Sequence, residues 1–201
     1  MKKIRIAEIS IVVALIISMM TSIVSFGVEC NEIRKDVFRL NILANSDSEA
    51  DQLVKLKVRD VLLNSGESLF SGNIDINTAE ECLNLEKENL IKAANKVLDD
   101  NGFNYKTQIY IVEEYFATRT YENFTLPDGK YKSLKVVLGK GEGYNWWCVM
   151  FPPLCLPAAS ENTNLDIVLG ESSAKLIQNK GRYKMQFKIV EKLEKIRAKM
   201  T

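Results

Sequence analysis

Ser172-x-x-Lys175 has the spacing in which a lysine amine can take a hydroxyl proton and turn a serine into a nucleophile. It stands alone, because neither a Ser-Asp-Asn nor a Lys-Thr-Gly segment accompanies it. Gly139-x-Gly-x-Gly143 has the glycine density of a phosphate loop. It lacks the dinucleotide spacing, no P-loop Lys-Ser/Thr follows, and it runs into a strand pattern instead of a helix N-terminus. Asn45, Asp47, Glu49 and Asp51 alternate as calcium ligands do, but without the loop glycine or the closing bidentate glutamate. The Asp128-Gly129 pair belongs to a turn and not to a protease dyad, and Asn123-Phe-Thr125 is an acceptor only where exported proteins are glycosylated. The chain has no histidine, which removes Ser-His and Cys-His nucleophiles and most zinc sites together. No constellation supports catalysis, and no metal or cofactor is expected.

A different kind of chemistry concentrates in Gly139–Cys155, which holds three of the ten glycines, both tryptophans, two of the four prolines and two of the four cysteines. Cys148 and Cys155 enclose six residues, two of them proline, so their oxidation would close a short rigid loop. Trp146 and Trp147 are consecutive on a strand and point to opposite faces, one toward a core and one toward a surface. Tryptophans on pre-organised backbone are typical interface anchors. Asn145, Trp146, Trp147, Phe151, Pro152 and Pro153 are therefore the expected partner-binding residues, against the alternative of a stapled core corner with no partner.

The elements that present this stretch follow from the hydrophobic pattern. Met1-Lys-Lys-Ile-Arg-Ile carries the positive charges, the apolar run Ile9–Val24 follows, and Ser25-Phe-Gly27 fits a signal-peptidase pattern. Residues 1–27 read as a cleaved export signal, or an uncleaved anchor, ahead of a single exported domain over 28–201. Export places Cys30, Cys82, Cys148 and Cys155 where disulfides can form. Cys82 reads as a small core residue or as a partner of Cys30. A net charge of +1 argues against bulk binding to nucleic acid.

Val37–Leu43 reads as a strand, with Val37, Arg39, Asn41 and Leu43 on one face and Phe38, Leu40 and Ile42 on the other. Ser48 caps a helix running to about Asn64 and stopping before Gly66. Thr78-Ala-Glu-Glu81 matches a capping box for a second helix to about Asp100, with Ala79, Leu83, Leu90, Ala94 and Val97 inward and Asn101-Gly102 as the stop. Strands are predicted over Tyr105–Phe116, Thr118–Thr125, Tyr131–Leu138 and Trp146–Met150, with a turn at Leu126–Gly129. Their short connections predict an antiparallel sheet. Residues 156–180 read as a loop and a short helix. Arg182–Ile189 alternates as a strand, and helical spacing follows through Leu193, Ile196 and Met200. Lys188, Lys192, Lys195 and Lys199 form a solvated flank. The fold class is α+β, an antiparallel sheet packed with about three helices.

Phe38–Ser48, Lys55-Leu-Lys-Val-Arg-Asp60 and Leu138–Cys155 together resemble stage II sporulation protein R, an exported signalling family of endospore-forming Firmicutes. Asn41 departs from the basic residue often found there, so no role for a cation is carried to it. The resemblance implies a non-enzymatic protein exported into the space between forespore and mother-cell membranes. There it would activate a membrane-embedded aspartic protease of the mother cell, which cleaves the precursor of a sigma factor. An exported hydrolase using a Ser-Lys or carboxylate pair, and a structural envelope protein, are the other readings of the same chain.

Overall fold

The computed structural model describes residues 2–70, 74–121, 124–152, 154, 169–178, 183 and 186–192. In chain order the elements are α1 (Lys2–Asp36), β1 (Phe38–Leu43), α2 (Glu49–Leu69), α3 (Ile76–Asp100), β2 (Thr107–Phe116), β3 (Arg119–Thr120), β4 (Thr125–Leu126), β5 (Gly129–Leu138), β6 (Asn145–Phe151) and α4 (Glu171–Gln178). The fold is α+β, and its main sheet has the order β2-β5-β1-β6. β2–β5 and β1–β6 are antiparallel as expected, but β1 and β5 run parallel. The parallel pair arises because β1 reaches β5 only through α2, α3 and β2, a connection long enough for a crossover. The short links between residues 105 and 151 did not bear on it. β3 and β4 form a separate two-stranded ribbon.

β1 is buried on both faces, as a central strand must be. Phe38, Leu40 and Ile42 meet Val54, Val58 and Leu62 of α2 and Leu83, Leu90, Ala94 and Leu98 of α3 in one core. Ser48 caps α2 as expected, its hydroxyl accepting the Asp51 N–H at 3.2 Å. The helix then continues through Gly66 to Leu69 instead of stopping at Asn64. Gly66 marks a close approach and not a terminus, since a Cβ there would lie 2.8 Å from Met150 Cε on β6. α3 begins at Ile76, capped by Asp75, whose carboxylate accepts the Thr78 N–H at 2.8 Å. Thr78 is therefore inside the helix, and Leu98, not Val97, completes its buried face.

The other face of the sheet carries a second core. The last turns of α1 contribute Phe26, Cys30 and Ile33, and Val37 follows them. They pack with Phe116, Leu126, Tyr131, Val149, Leu176, Ile177, Phe187 and Val190. Arg34 ties the helix to the β4–β5 turn, its Nε donating to the Asp128 carbonyl at 2.7 Å. Residues 186–192 are helical, which overturns the end of the strand expected over Arg182–Ile189; Arg182, Lys184 and Met185 lie outside the described residues. Tyr183, Phe187 and Val190 share one helical face, and the Phe187 N–H donates to the Tyr183 carbonyl at 2.9 Å. Both rings pack on Phe26, with centroids at 5.8 and 5.1 Å, and this tertiary contact selects the helical period over the alternating one. Lys188 and Lys192 are exposed. Lys195, Lys199 and the expected helical positions Leu193, Ile196 and Met200 lie outside the described residues.

The remainder of α1 is unlike its docked end. From Ile6 to Val24 the large apolar side chains stand exposed, Met19 by 67% and Leu15 by 65%. Ile6–Asp36 is long and apolar enough to cross a membrane, with a window of mean hydropathy 2.4. The helix runs through Gly27 without a break.

Candidate functional site

The loop from Gly139 to Tyr144 is sewn onto the turn that follows β1. The Gly143 N–H donates to the Ala44 carbonyl at 2.9 Å and the Glu142 N–H to the Asn45 carbonyl at 3.3 Å. The Lys140 N–H reaches Asn45 Oδ1 at 3.0 Å, and the Tyr144 N–H reaches Asp47 Oδ1 at 2.7 Å. Gly139 and Gly141 hold φ of 58° and 67°, the left-handed region in which glycine carries no Cβ penalty. The glycines thus shape a turn, and Asn45 and Asp47 act as backbone anchors.

Asp51 supports the turn from below. Its Oδ1 accepts from the Tyr105 hydroxyl at 2.5 Å, and its Oδ2 from Asn45 Nδ2 at 3.0 Å and from Ser46 Oγ. Burial pushes this carboxyl up, but hydrogen bonds from Ser46, Tyr105, Asn45 and Ser48 outweigh it and leave the group below the usual carboxylate range. Lys55, also buried, donates to the Gln52 side chain and to the Tyr144 carbonyl at 2.8 Å. Burial lowers its pKa, partly offset by Asp47. The carboxylates of Asp47 and Asp51 are thus spent on protein donors. No group of three or more metal-ligating side chains occurs among the described residues.

The two tryptophans leave β6 on opposite faces as alternation requires, and both are half-buried. Trp146 packs on the first core beneath the Arg59 guanidinium, 4.6 Å from the ring centroid. Trp147 lies on the other face, edge-on to Phe116 at 4.8 Å, and opposite Asn41 in the strand register. Asn145 and neighbouring Tyr144 are exposed, Tyr144 by 70%. Phe151 instead sits in the first core, edge-on to Phe70 at 5.4 Å, and Pro152 is buried too. Neither is available at the surface, because the sheet edge folds this end of β6 back over α2. Pro153 lies outside the described residues. Of the expected face, Asn145, Trp147 and the rim of Trp146 remain on show.

Arg39 was placed by alternation on the same face as Asn41, yet it carried no functional expectation. It is completely buried. Its Nε donates to the Cys148 carbonyl at 3.0 Å and its Nη2 to the Tyr121 hydroxyl at 2.8 Å. The guanidinium lies 4.3 Å from the Phe116 ring centroid and 5.2 Å from that of Tyr131. Beside it opens a cleft of about 420 Å³ lined by Arg39, Phe116, Thr118, Arg119 and Trp147 among others. A second depression of about 480 Å³ shares Arg119 and Trp147 and continues over Asp47, Glu142 and Asn145. Trp147 and Arg119 form the ridge between them. The sequence signal for Arg39 was a charged residue inside a largely apolar strand; Thr118 and Arg119 gave none.

Cys148 is disulfide-bonded, and Cys155, its expected partner, lies outside the described residues. Cys30 and Cys82 remain thiols and sit in opposite cores, so the sheet separates them. Titration of the unreduced chain after denaturation should find these two thiols per molecule. In the native state Cys30, fully buried, should stay unreactive while half-buried Cys82 reacts slowly. A count of four would remove the bridge. Ser172 and Lys175 lie on the exposed side of α4, where Lys175 pairs with Glu171. At that exposed face the amine is engaged by the Glu171 carboxylate.

Residues 34–161 match the family described as stage II sporulation protein R. The stage II sporulation protein R of Bacillus subtilis (strain 168) is 38% identical over 120 residues, covering 58% of this chain and 52% of that protein. The chain therefore spans about half the length of the curated relative it matches. No solved structure matches it. The match covers the β1 strand and its turn, the glycine loop and the tryptophan strand, so the chain belongs to the stage II sporulation protein R family.

Proposed function

We propose that the chain is a sporulation signal that acts outside the cytoplasm by binding a membrane-embedded aspartic protease of the mother cell and stabilising its active state. The protease then cleaves a sigma factor precursor. The observation that carries the reading is the Tyr144–Trp147 face, which four loop-to-turn hydrogen bonds hold in place. Pre-organisation of this kind removes ordering cost from association. Family membership, the apolar α1 and the exposed Ser172–Lys175 pair support a presented ligand over a hydrolase. A covalent Cys148–Cys155 bridge belongs to the same reading, fixing the far end of β6. A ligand shifts an equilibrium only by its differential affinity for the two states, so the face must fit the active protease better than the resting one.

The full chain, added to membranes holding the protease and its precursor substrate, should raise precursor cleavage. Trp147→Ala should raise the concentration for half-activation by about thirtyfold, the loss expected for an interface anchor worth roughly 2 kcal/mol. Ser172→Ala should activate like the parent. A hydrolytic activity of the chain alone, abolished by Ser172→Ala, would refute the reading and favour the exported hydrolase.

A further inference from the structure

Arg39 is a buried cation with no carboxylate paired to it among the described residues. No described acid lies within ion-pairing distance, and its electrostatic neighbours are Tyr121, Tyr131 and a second cation, Arg119. Two of its three nitrogens are engaged, while Nη1 has no hydrogen-bond partner. Thr118 Oγ1, on the same cleft, is also buried without one. Arg119 is exposed at the cleft and makes no ion pair among the described residues. A buried charge left uncompensated is costly, and folded chains ordinarily supply the opposite charge themselves. This chain brings two guanidinium groups together and supplies none among the described residues.

We propose that the Arg39–Arg119 cleft binds a carboxylate carried on an acidic peptide segment of a protein partner. Arg119 and the Thr118 hydroxyl meet the carboxylate oxygens, and Arg39 beneath them holds the positive potential that draws the group in. The planar fork of a guanidinium matches a carboxylate through two parallel donors. Phe116 and Trp147 wall the cleft with apolar rings, which suits the methylenes of a glutamate side chain and excludes a strongly hydrated ion. A peptide is favoured over a free acid because the groove does not end at one residue. Past the Trp147–Arg119 ridge it continues into the second depression, where Asp47 and Glu142 would repel a second acid and accept a basic or neutral neighbour. The inference concerns the cleft and stands whether or not the partner is the protease.

The test is a titration of the full chain in neutral detergent micelles, read by Trp147 fluorescence and by calorimetry. N-acetyl-glutamate amide should bind saturably, and N-acetyl-glutamine amide, the same shape without the charge, at least tenfold more weakly. Arg119→Gln, a surface change that leaves the fold intact, should weaken the glutamate probe by about tenfold, the usual scale for losing one charge-assisted contact. Arg39→Gln should abolish binding while keeping the near-UV dichroism of the parent. If that variant unfolds, Arg119→Gln and Thr118→Val carry the test. Equal binding of the glutamine probe, or of inorganic phosphate, would overturn the carboxylate assignment. Failure of the parent chain to bind N-acetyl-glutamate amide saturably would likewise overturn the proposal.

Discussion

Gly143→Ala should destabilise the protein by about 3 kcal/mol, the upper end of ordinary overpacking costs. A Cβ at this position would stand 2.2 Å from the Ser46 carbonyl oxygen and 2.5 Å from its carbon. The obstacle is backbone of a turn already fixed by the Ser48 cap and by Asp51, so it has no rotamer into which to retreat. The loop must lift, and its bonds to Ala44, Asn45 and Asp47 are lost together. Gly66→Ala is the matched comparison. There the new methyl meets the thioether of Met150, a flexible group that can swing aside, and the helix gains propensity. That variant should stay within about 1 kcal/mol of the parent. Urea melts of the two variants measure the contrast, and equal midpoints would mean that the loop is not seated on the turn.

Asp51→Ala should cost a similar amount, about 3 kcal/mol, because three half-buried donors lose a charged acceptor at once. The Tyr105 hydroxyl, the Asn45 amide and the Ser46 hydroxyl all point at this one carboxylate. The same network sets a pH dependence. Its folded pKa is held below the ordinary value, so the stabilisation is complete above the unfolded pKa of about 4 and disappears as pH falls through the folded value. Lowering the pH from 7 to about 3 should therefore reduce stability more in the parent than in Asp51→Asn, which has no proton to gain. Parallel acid titrations of the two would sink the assignment. Because the turn carries the Tyr144–Trp147 face, Asp51→Ala should also blunt protease activation without touching the partner.

Much of this architecture is written in local pattern. The alternation of Val37–Leu43 assigns every side chain of β1 to its observed face, and the Ser48 cap follows from one residue and its acidic followers. Gly139 and Gly141 take the positive φ that a glycine-rich turn permits, whereas Gly143 does not. Other features depend on partners far along the chain. Gly66 looks like a stop signal until Met150 lies across it, and Asp75 outcompetes Thr78 as a cap because helix α3 starts one turn earlier. Tyr183-x-Met185-x-Phe187 satisfies a strand period while Tyr183, Phe187 and Val190 satisfy a helical one, and Phe26, more than 150 residues away, decides between them. The site divides the same way. That Trp146 and Trp147 leave β6 on opposite faces was legible from their spacing. The cleft beside it was not, because it forms only when β1, the end of β2 and the Tyr121 ribbon converge on Arg39.

The continuity of α1 sets an order of events. Ser25-Phe-Gly27 is the sequence a signal peptidase would cut, yet Phe26 is buried against Tyr183 and Phe187 and the backbone there is helical. Proteolytic nicking concentrates at exposed, unpacked backbone. A cut after Gly27 would therefore have to come before Phe26 docks, because the docked segment is helical and packed on Tyr183 and Phe187.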